Sequence, residues 1–294
     1  MNINFKNKFI VLPAIIFLIT TVSFVGFRIP VSEKTNKEVM ISTLKTEPII
    51  EANEDIIVDR NGNIYVCGGW RSPKSLFKIE DENVVVEVSQ EMNTALSITE
   101  DEKGNLYITD KEKLVKITSN GKSSILVNER VGGGIISDKI GDLYTVDFDT
   151  QIMKKISPNG TVENFVTSKL FNGPTGITYN KSRDEIYVGN WNDGKILLVK
   201  KDRSVSEIID ISGEIGRMAF GNNKIYVTSN SEHLIYEISL TGDITKTIGM
   251  GGKGEIDGSG SIATFSNPNG IGISYDAKVL YISSRTGGIR KISL

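Results

Sequence analysis

One cysteine and one histidine occur in 294 residues. A single Cys excludes an intrachain disulfide and any cysteine-cluster metal site. A single His excludes two-His zinc centres and every mechanism that needs a His pair. Charge of one sign is also missing: 34 Lys and Arg face 36 Asp and Glu, so nothing draws in a phosphate backbone and no nucleic-acid partner is expected. No Ser stands in a nucleophile-elbow pattern. The chemistry left to such a chain rests on carboxylates and amides.

Long hydrophobic runs are absent except at the start. Lys6 and Lys8 precede an uncharged stretch from Phe9 to Phe27, 19 residues long. That length falls between a secretory core of about 7–15 residues and the about 20 residues of a membrane-spanning helix. Thr21-Val22-Ser23 offers a small-x-small cleavage pattern inside the run, with the bulky Phe24 after it. A cleaved signal and an uncleaved anchor therefore both stand, and no Cys follows to carry a lipid. Both readings hold the lysines inside and export everything after Arg28, to an extracytoplasmic, secreted or membrane-held location. The expected organisation is a targeting segment over 1–27, a polar linker over 28–40 and one folded domain over 41–294.

Within that domain one phrase recurs: "DRNGNIYVCGG", "DEKGNLYITDK", "DKIGDLYTVDF", "NKSRDEIYVGN", "GNNKIYVTSNS" and "SYDAKVLYISS". Its tyrosines, Tyr65, Tyr107, Tyr144, Tyr187, Tyr226 and Tyr281, are spaced by 42, 37, 43, 39 and 55 residues. Such periods match the about 40–50 residues of a propeller blade. Each copy continues into a third strand ("SLFKIE", "KLVKIT", "IMKKIS", "ILLVKK", "LIYEIS", "GIRKIS"), and five continue into a fourth ("VVVEVS", "SILVN", "VENFVT", "SEIID", "ITKTIG"). Val, Ile and aromatics in short runs specify strands, and no window is long and periodic enough for a helix. Asn120-Gly121, Asn159-Gly160 and Gly242-Asp243 mark hairpin turns between third and fourth strands. The sixth copy ends without a fourth strand, which would leave an unpaired edge. The strand-like segment "ISTLKTEPII", Ile41 to Ile50, is expected to supply it and close the ring, with Pro48 tolerated on an edge. The fold expected is all-β: a six-bladed β-propeller of four-stranded blades closed by an N-terminal outer strand.

From Ile248 to Leu294 the chain resembles an NHL repeat: Asp257-Gly258, Ala263, Phe265, Pro268, Gly270, Ile271 and Arg290-Lys291-Ile292 fit its pattern. The resemblance implies a propeller that binds a protein, peptide, glycan or small molecule without turning it over. Similar propellers include the gluconolactonase/regucalcin group and paraoxonase-like lactonases, which hold a divalent metal on the ring axis. By that resemblance Glu54 and Asn269 are candidate metal ligands, for Ca²⁺ or another divalent cation. The positions aligned with Glu54 in the other blades are Leu96, Gly133, Thr175, Gly216 and Asn269. Only Glu54, Thr175 and Asn269 of these carry a side-chain oxygen, a thin set for an ion that takes six to eight. The related streptogramin lyases use His residues as their acid–base pair, and here only His233 is present.

The loops from second to third strands emerge on one face of the ring and carry Trp70, Asp110, Asp147, Asn190 and Trp191, the candidate binding face. Both tryptophans of the chain sit in equivalent loops, and aromatic anchors are enriched at recognition surfaces. The remaining residues of interest read blandly: His233 as an exposed loop residue, Cys67 as a buried small hydrophobe. The Gly-rich run from Gly249 to Gly260 reads as an extended loop over one end of the ring. Two functions follow as expectations, an exported binding propeller and a metal-dependent lactonase or hydrolase.

Overall fold

The computed structural model describes residues 38–46, 50, 54–69, 76–80, 84–89, 92, 94–211, 213–284 and 288–294. The apolar N-terminal run, Pro48 and Trp70 lie outside the described residues. Among the described residues no helix is long and apolar enough to cross a membrane.

Six antiparallel sheets follow one another along the chain. Blade 1 holds β2 (Ile56–Val58), β3 (Ile64–Cys67), β4 (Leu76–Glu80) and β5 (Val84–Ser89). Blade 2 holds β6 (Ala95–Glu100), β7 (Leu106–Asp110), β8 (Leu114–Ile117) and β9 (Ser123–Val127). Blade 3 holds β10 (Gly134–Ser137), β11 (Leu143–Val146), β12 (Ile152–Ile156) and β13 (Val162–Thr167). Blade 4 holds β14 (Pro174–Asn180), β15 (Glu185–Asn190), β16 (Lys195–Val199) and β17 (Val205–Asp210). Blade 5 holds β18 (Ile215–Gly221), β19 (Lys224–Ser229), β20 (Leu234–Ser239) and β21 (Ile244–Ile248). Blade 6 joins β23 (Pro268–Ile273), β24 (Val279–Ser284) and β25 (Ile289–Ser293) to β1 (Met40–Leu44) from the other end of the chain.

The recurring phrase has a local cause. In blade 2 the Asp101 carboxylate accepts from the N–H groups of Lys103 (2.8 Å) and Asn105 (2.9 Å), folding the turn between first and second strands. Gly104 takes a φ of +77° there, which an L side chain rarely adopts. Tyr107 two residues later is buried and donates its hydroxyl to the same carboxylate at 3.0 Å. Turn and strand are thus fixed by one acid, and Asp59 and Asp138 hold equivalent turns. Six apolar clusters fill the six interfaces between neighbouring blades, so each blade buries both faces only when two neighbours are present.

Closure occurs as the sequence suggests, with β1 pairing antiparallel to β25 from Met40–Ser293 to Leu44–Ile289. The Gly-rich run does something different from the expected end loop. Its β22 (Gly258–Ser259) pairs with Met40 and Ile41, making the sixth sheet five-stranded and covering the outer edge of the closing strand. Asp257 accepts from the Thr43 N–H and hydroxyl, both at 3.0 Å, and from Arg290 Nη2 at 2.7 Å. Arg290, 1% exposed, also donates to the Thr264 carbonyl at 2.8 Å. Partial burial pushes the Asp257 carboxyl up, but the bonds from Thr43 and the Arg290 charge outweigh it and hold the group below the ordinary carboxylate range. The stability this lends is present above the ordinary carboxylate range and lost as pH falls through the depressed value. Asp257→Ala is therefore expected to cost about 1 kcal/mol at neutral pH after allowance for solvent around the half-exposed carboxylate, or roughly 2–4 °C in Tm. The gap between variant and wild type should narrow as pH falls below the ordinary carboxylate range in paired thermal melts, and a gap constant with pH would remove Asp257 from the closure.

Candidate functional site

The inner strands enter at the same end of the ring, and in blades 2, 4, 5 and 6 their pairing with the second strand slips there. The register shifts between Ala95 and Ser97, Pro174 and Gly176, Ile215 and Met218, and Pro268 and Ile271. A bulge re-aims the residues it leaves out of the ladder. These are Leu96, Thr175, Gly216 with Arg217, and Asn269 with Gly270. Leu96, Thr175, Arg217 and Asn269 line a cavity of about 390 Å³ together with Glu54, Gly133, Arg130, Phe148, Asp149, Pro174 and Trp191. Glu54 and four of the five positions aligned with it thus meet at one end of the ring axis.

Arg217 forms the floor. Its side chain is 9% exposed. Nη1 donates to the Thr175 carbonyl at 2.7 Å, and Nη2 donates to the Leu96 carbonyl at 3.0 Å and to Glu54 Oε2 at 3.5 Å. Asn269 Nδ2 donates to the same Glu54 oxygen at 3.3 Å. Below the floor, buried Asp55 accepts from the N–H groups of Ile56 and Ile98 and from the Ser97 hydroxyl. Burial raises its carboxyl above the ordinary range, with the Arg217 charge opposing. Beyond Asp55 the inner strands line a second cavity of about 320 Å³, with Thr99, Glu100, Ser137 and Thr178 among its polar residues.

The wall lies on blades 3 and 4. Phe148 is 39% exposed and Trp191 half-exposed, with the Trp191 N–H bonded to the Gly173 carbonyl at 2.9 Å. Arg130 stands at the rim, 2.9 Å from Asp147 Oδ2 and 2.7 Å from Asp149 Oδ2. At Gly133 the floor opens: a Cβ there would meet nothing within 4 Å.

Of the residues expected on the binding face, Trp191 lines the cavity, and Trp70 falls outside the described residues. Asp110, Asp147 and Asn190 share that end of the ring but are buried. Asp110 accepts from the Thr94 N–H at 3.2 Å. Asn190 Nδ2 donates to the Leu170 carbonyl at 2.7 Å. Asp147 Oδ1 accepts from the N–H groups of Asp149 and Thr150, so its carboxyl, raised by burial, is brought below the ordinary range by Thr150 and Arg130. These three therefore shape the loops and aim Arg130. His233 is half-buried, and its Nδ1 accepts from the Asn267 N–H at 3.1 Å, a partner the sequence did not signal. Cys67 is fully buried, and burial pushes its thiol well up, as suits a core residue.

Sequence reading missed Arg217 and Arg130. A signal existed for the first: Arg217 is the lone base among Asp55, Ser97, Gly134, Gly176 and Gly270, the residues following the aligned axial positions. Glu54 and Asn269, the candidate metal ligands, do come together, yet the group they surround is a guanidinium. A cation already occupies their shared space, and Asn269 presents an N–H to Glu54. Among the described residues no group of three or more His, Cys, Asp or Glu is placed to hold a metal. With Arg217 in place this donor set does not fit a divalent ion, so no chemistry is routed through one.

No protein-family model matches the sequence, and no curated protein matches it. Solved structures do. An auxiliary nutrient binding protein from Bacteroides thetaiotaomicron has a TM-score of 0.74 at 15% identity, covering 87% of this chain and 76% of that one. A gluconolactonase from Xanthomonas campestris has 0.66 at 12%, covering 87% and 90%. A virginiamycin B lyase from Staphylococcus aureus has 0.63 at 14%, covering 87% and 100%. At such identities the likeness is one of fold, so the roles of single residues rest on their own surroundings. Asn190→Ala tests one of them: it removes a buried hydrogen bond and should cost about 1–2 kcal/mol in urea unfolding. Unchanged stability would return Asn190 to the contact surface.

Proposed function

We propose that the chain is an NHL-type binding propeller that captures a small, uncharged, polyhydroxylated ligand, such as a sugar, in the cavity floored by Arg217. The observation that carries this is the pairing of an aromatic wall, Phe148 and Trp191, with a polar floor on one cavity. Sugar rings offer an apolar face to an aromatic side chain and hydroxyls to carboxylates, amides and guanidiniums. Charge disfavours an anionic ligand, because Arg217 is paired with Glu54 and Arg130 with both Asp147 and Asp149. The volume suits such a ligand, since small-molecule sites run about 300–1,000 Å³. The propeller works outside the cytoplasm in this reading, exported or anchored by the run from Phe9 to Phe27 behind Lys6 and Lys8. Its neighbours in fold include a protein described as nutrient binding.

Calorimetric titration with neutral mono- and disaccharides tests the proposal. Saturable binding of at least one sugar is expected, with Trp191→Ala weakening it by roughly tenfold or more, a loss of about 1.4 kcal/mol. Gly133→Leu should abolish binding while leaving Tm unchanged, because the new side chain enters open cavity space. The reading fails if no sugar in the panel binds, or if a sugar binds Gly133→Leu as well as it binds wild type.

A further inference from the structure

The surroundings of Arg217 are those of a bound cation. Oxygens from three other blades converge on its guanidinium: the Glu54 carboxylate from blade 1, the Leu96 carbonyl from blade 2 and the Thr175 carbonyl from blade 4. Leu96 and Thr175 sit at bulges, where the ladder between first and second strands is interrupted. Neighbouring positions make room: a Cβ on Gly134 would stand against the Thr175 carbonyl, so glycine there lets the inner strands of blades 3 and 4 approach closely. The Arg217 backbone is held in turn, its N–H donating to Thr228 Oγ1 at 2.9 Å. Three donors of the guanidinium are used by the cage. Nε–H and the second hydrogen of Nη1 have no protein partner among the described residues, and Arg217 lines the cavity.

We infer that Glu54, Leu96 and Thr175 form an oxygen cage for a cation which the chain fills with its own guanidinium. The axial charge is then fixed covalently and needs no metal, and the spare Nε–H and Nη1–H serve as donors to an acceptor oxygen of the ligand. The last clause rests on the binding function proposed above, whereas the cage does not. Two carbonyl dipoles and a carboxylate aimed at one guanidinium favour positive charge, and a neutral side chain would take that charge away from all three in a poorly hydrated place. An arginine fork suits the task because it addresses several oxygens from one rigid plane.

The experiment uses no sugar, so it stands or falls separately from ligand capture. The full domain, wild type and Arg217→Ala, is melted alone and with about 10 mM methylguanidinium, CaCl₂ or MnCl₂ at constant ionic strength. Arg217→Ala should melt lower and regain roughly 3 °C or more with methylguanidinium or a divalent ion, while wild type moves by less than about 1 °C. Adding Glu54→Gln to Arg217→Ala should cancel the regain, and Arg217→Lys, which keeps the charge, should show none. Where Arg217→Ala does not fold unaided, refolding with the same cations replaces the melt, and recovery of folded protein supports the cage. A divalent-ion shift in wild type as large as in Arg217→Ala, or an alanine variant that answers to no cation, overturns it.

Discussion

The structure depends on one constraint, that a radial four-stranded sheet has two apolar faces and no means of covering either by itself. Each face is covered only by the next blade, so six interfaces must exist for any one to be dry. The interface between blades 6 and 1 is the critical one, because there Ile289 and Tyr281 near the end of the chain meet Ile56, Ile64 and Val66 near its beginning. Supplying the outer strand of blade 6 from the N-terminal side makes closure part of the sheet itself, through β1 and β25. With one cysteine in the chain, no disulfide assists. The clasp of Asp257 onto Thr43 and Arg290, with β22 laid over β1, bonds the closing strand from its outer side as well.

The same radial arrangement creates the site. Inner strands have no strand partner towards the axis, so their free N–H groups need acceptors from elsewhere. Side chains of adjacent strands and blades provide them: Ser97 to the Ile135 N–H, Thr99 to Ser137, Ser283 to Gly270, Asp55 to Ile98. A polar lining is therefore a structural need before it is a functional one. Bulges at the strand entries then turn Leu96, Thr175, Arg217 and Asn269 into this polar end, while the blade 3 and 4 loops add Phe148 and Trp191. Polar floor and aromatic wall arise from two different parts of the repeat.

How much of this was legible follows from which interactions are local. The Asp101, Gly104 and Tyr107 unit spans seven residues and repeats, so blades and turns could be read directly. Closure was legible because a missing strand at one terminus and a spare one at the other match by counting. The alignment of Glu54 with Leu96, Gly133, Thr175 and Asn269 also located one end of the axis. What the alignment hid was direction and burial. Asp110, Asp147 and Asn190 look like loop polars, yet each is turned inward to a backbone partner supplied from 16 residues before for Asp110, two and three residues ahead for Asp147, and 20 residues before for Asn190. Arg217 bonds to Glu54 across a separation of 163 residues and to Leu96 across 121, distances no local pattern encodes. The Gly-rich run was misread for a related reason, since its partner β1 lies more than 200 residues away.

Arg217 also explains why an axial Glu and Asn can persist without a metal. Burying a carboxylate is costly, and for Glu54, with a 12% exposed side chain, the adjacent guanidinium offsets part of that cost. Asp55 directly after it is buried as well, so two consecutive acids stand at the entry of the inner strand of blade 1. A divalent ion is one way to hold two acids there, and a guanidinium is another, with one fewer charge but with directed N–H groups. The second solution has a consequence for recognition. A metal offers open coordination positions that any hard oxygen can fill, including water, whereas a guanidinium whose other hydrogens are committed offers a fixed pair of donors in one plane. In the proposed binding function, selectivity at this floor is a matter of where the ligand places an acceptor, and the aromatic wall of Phe148 and Trp191 sets how the ligand would lie to place it there.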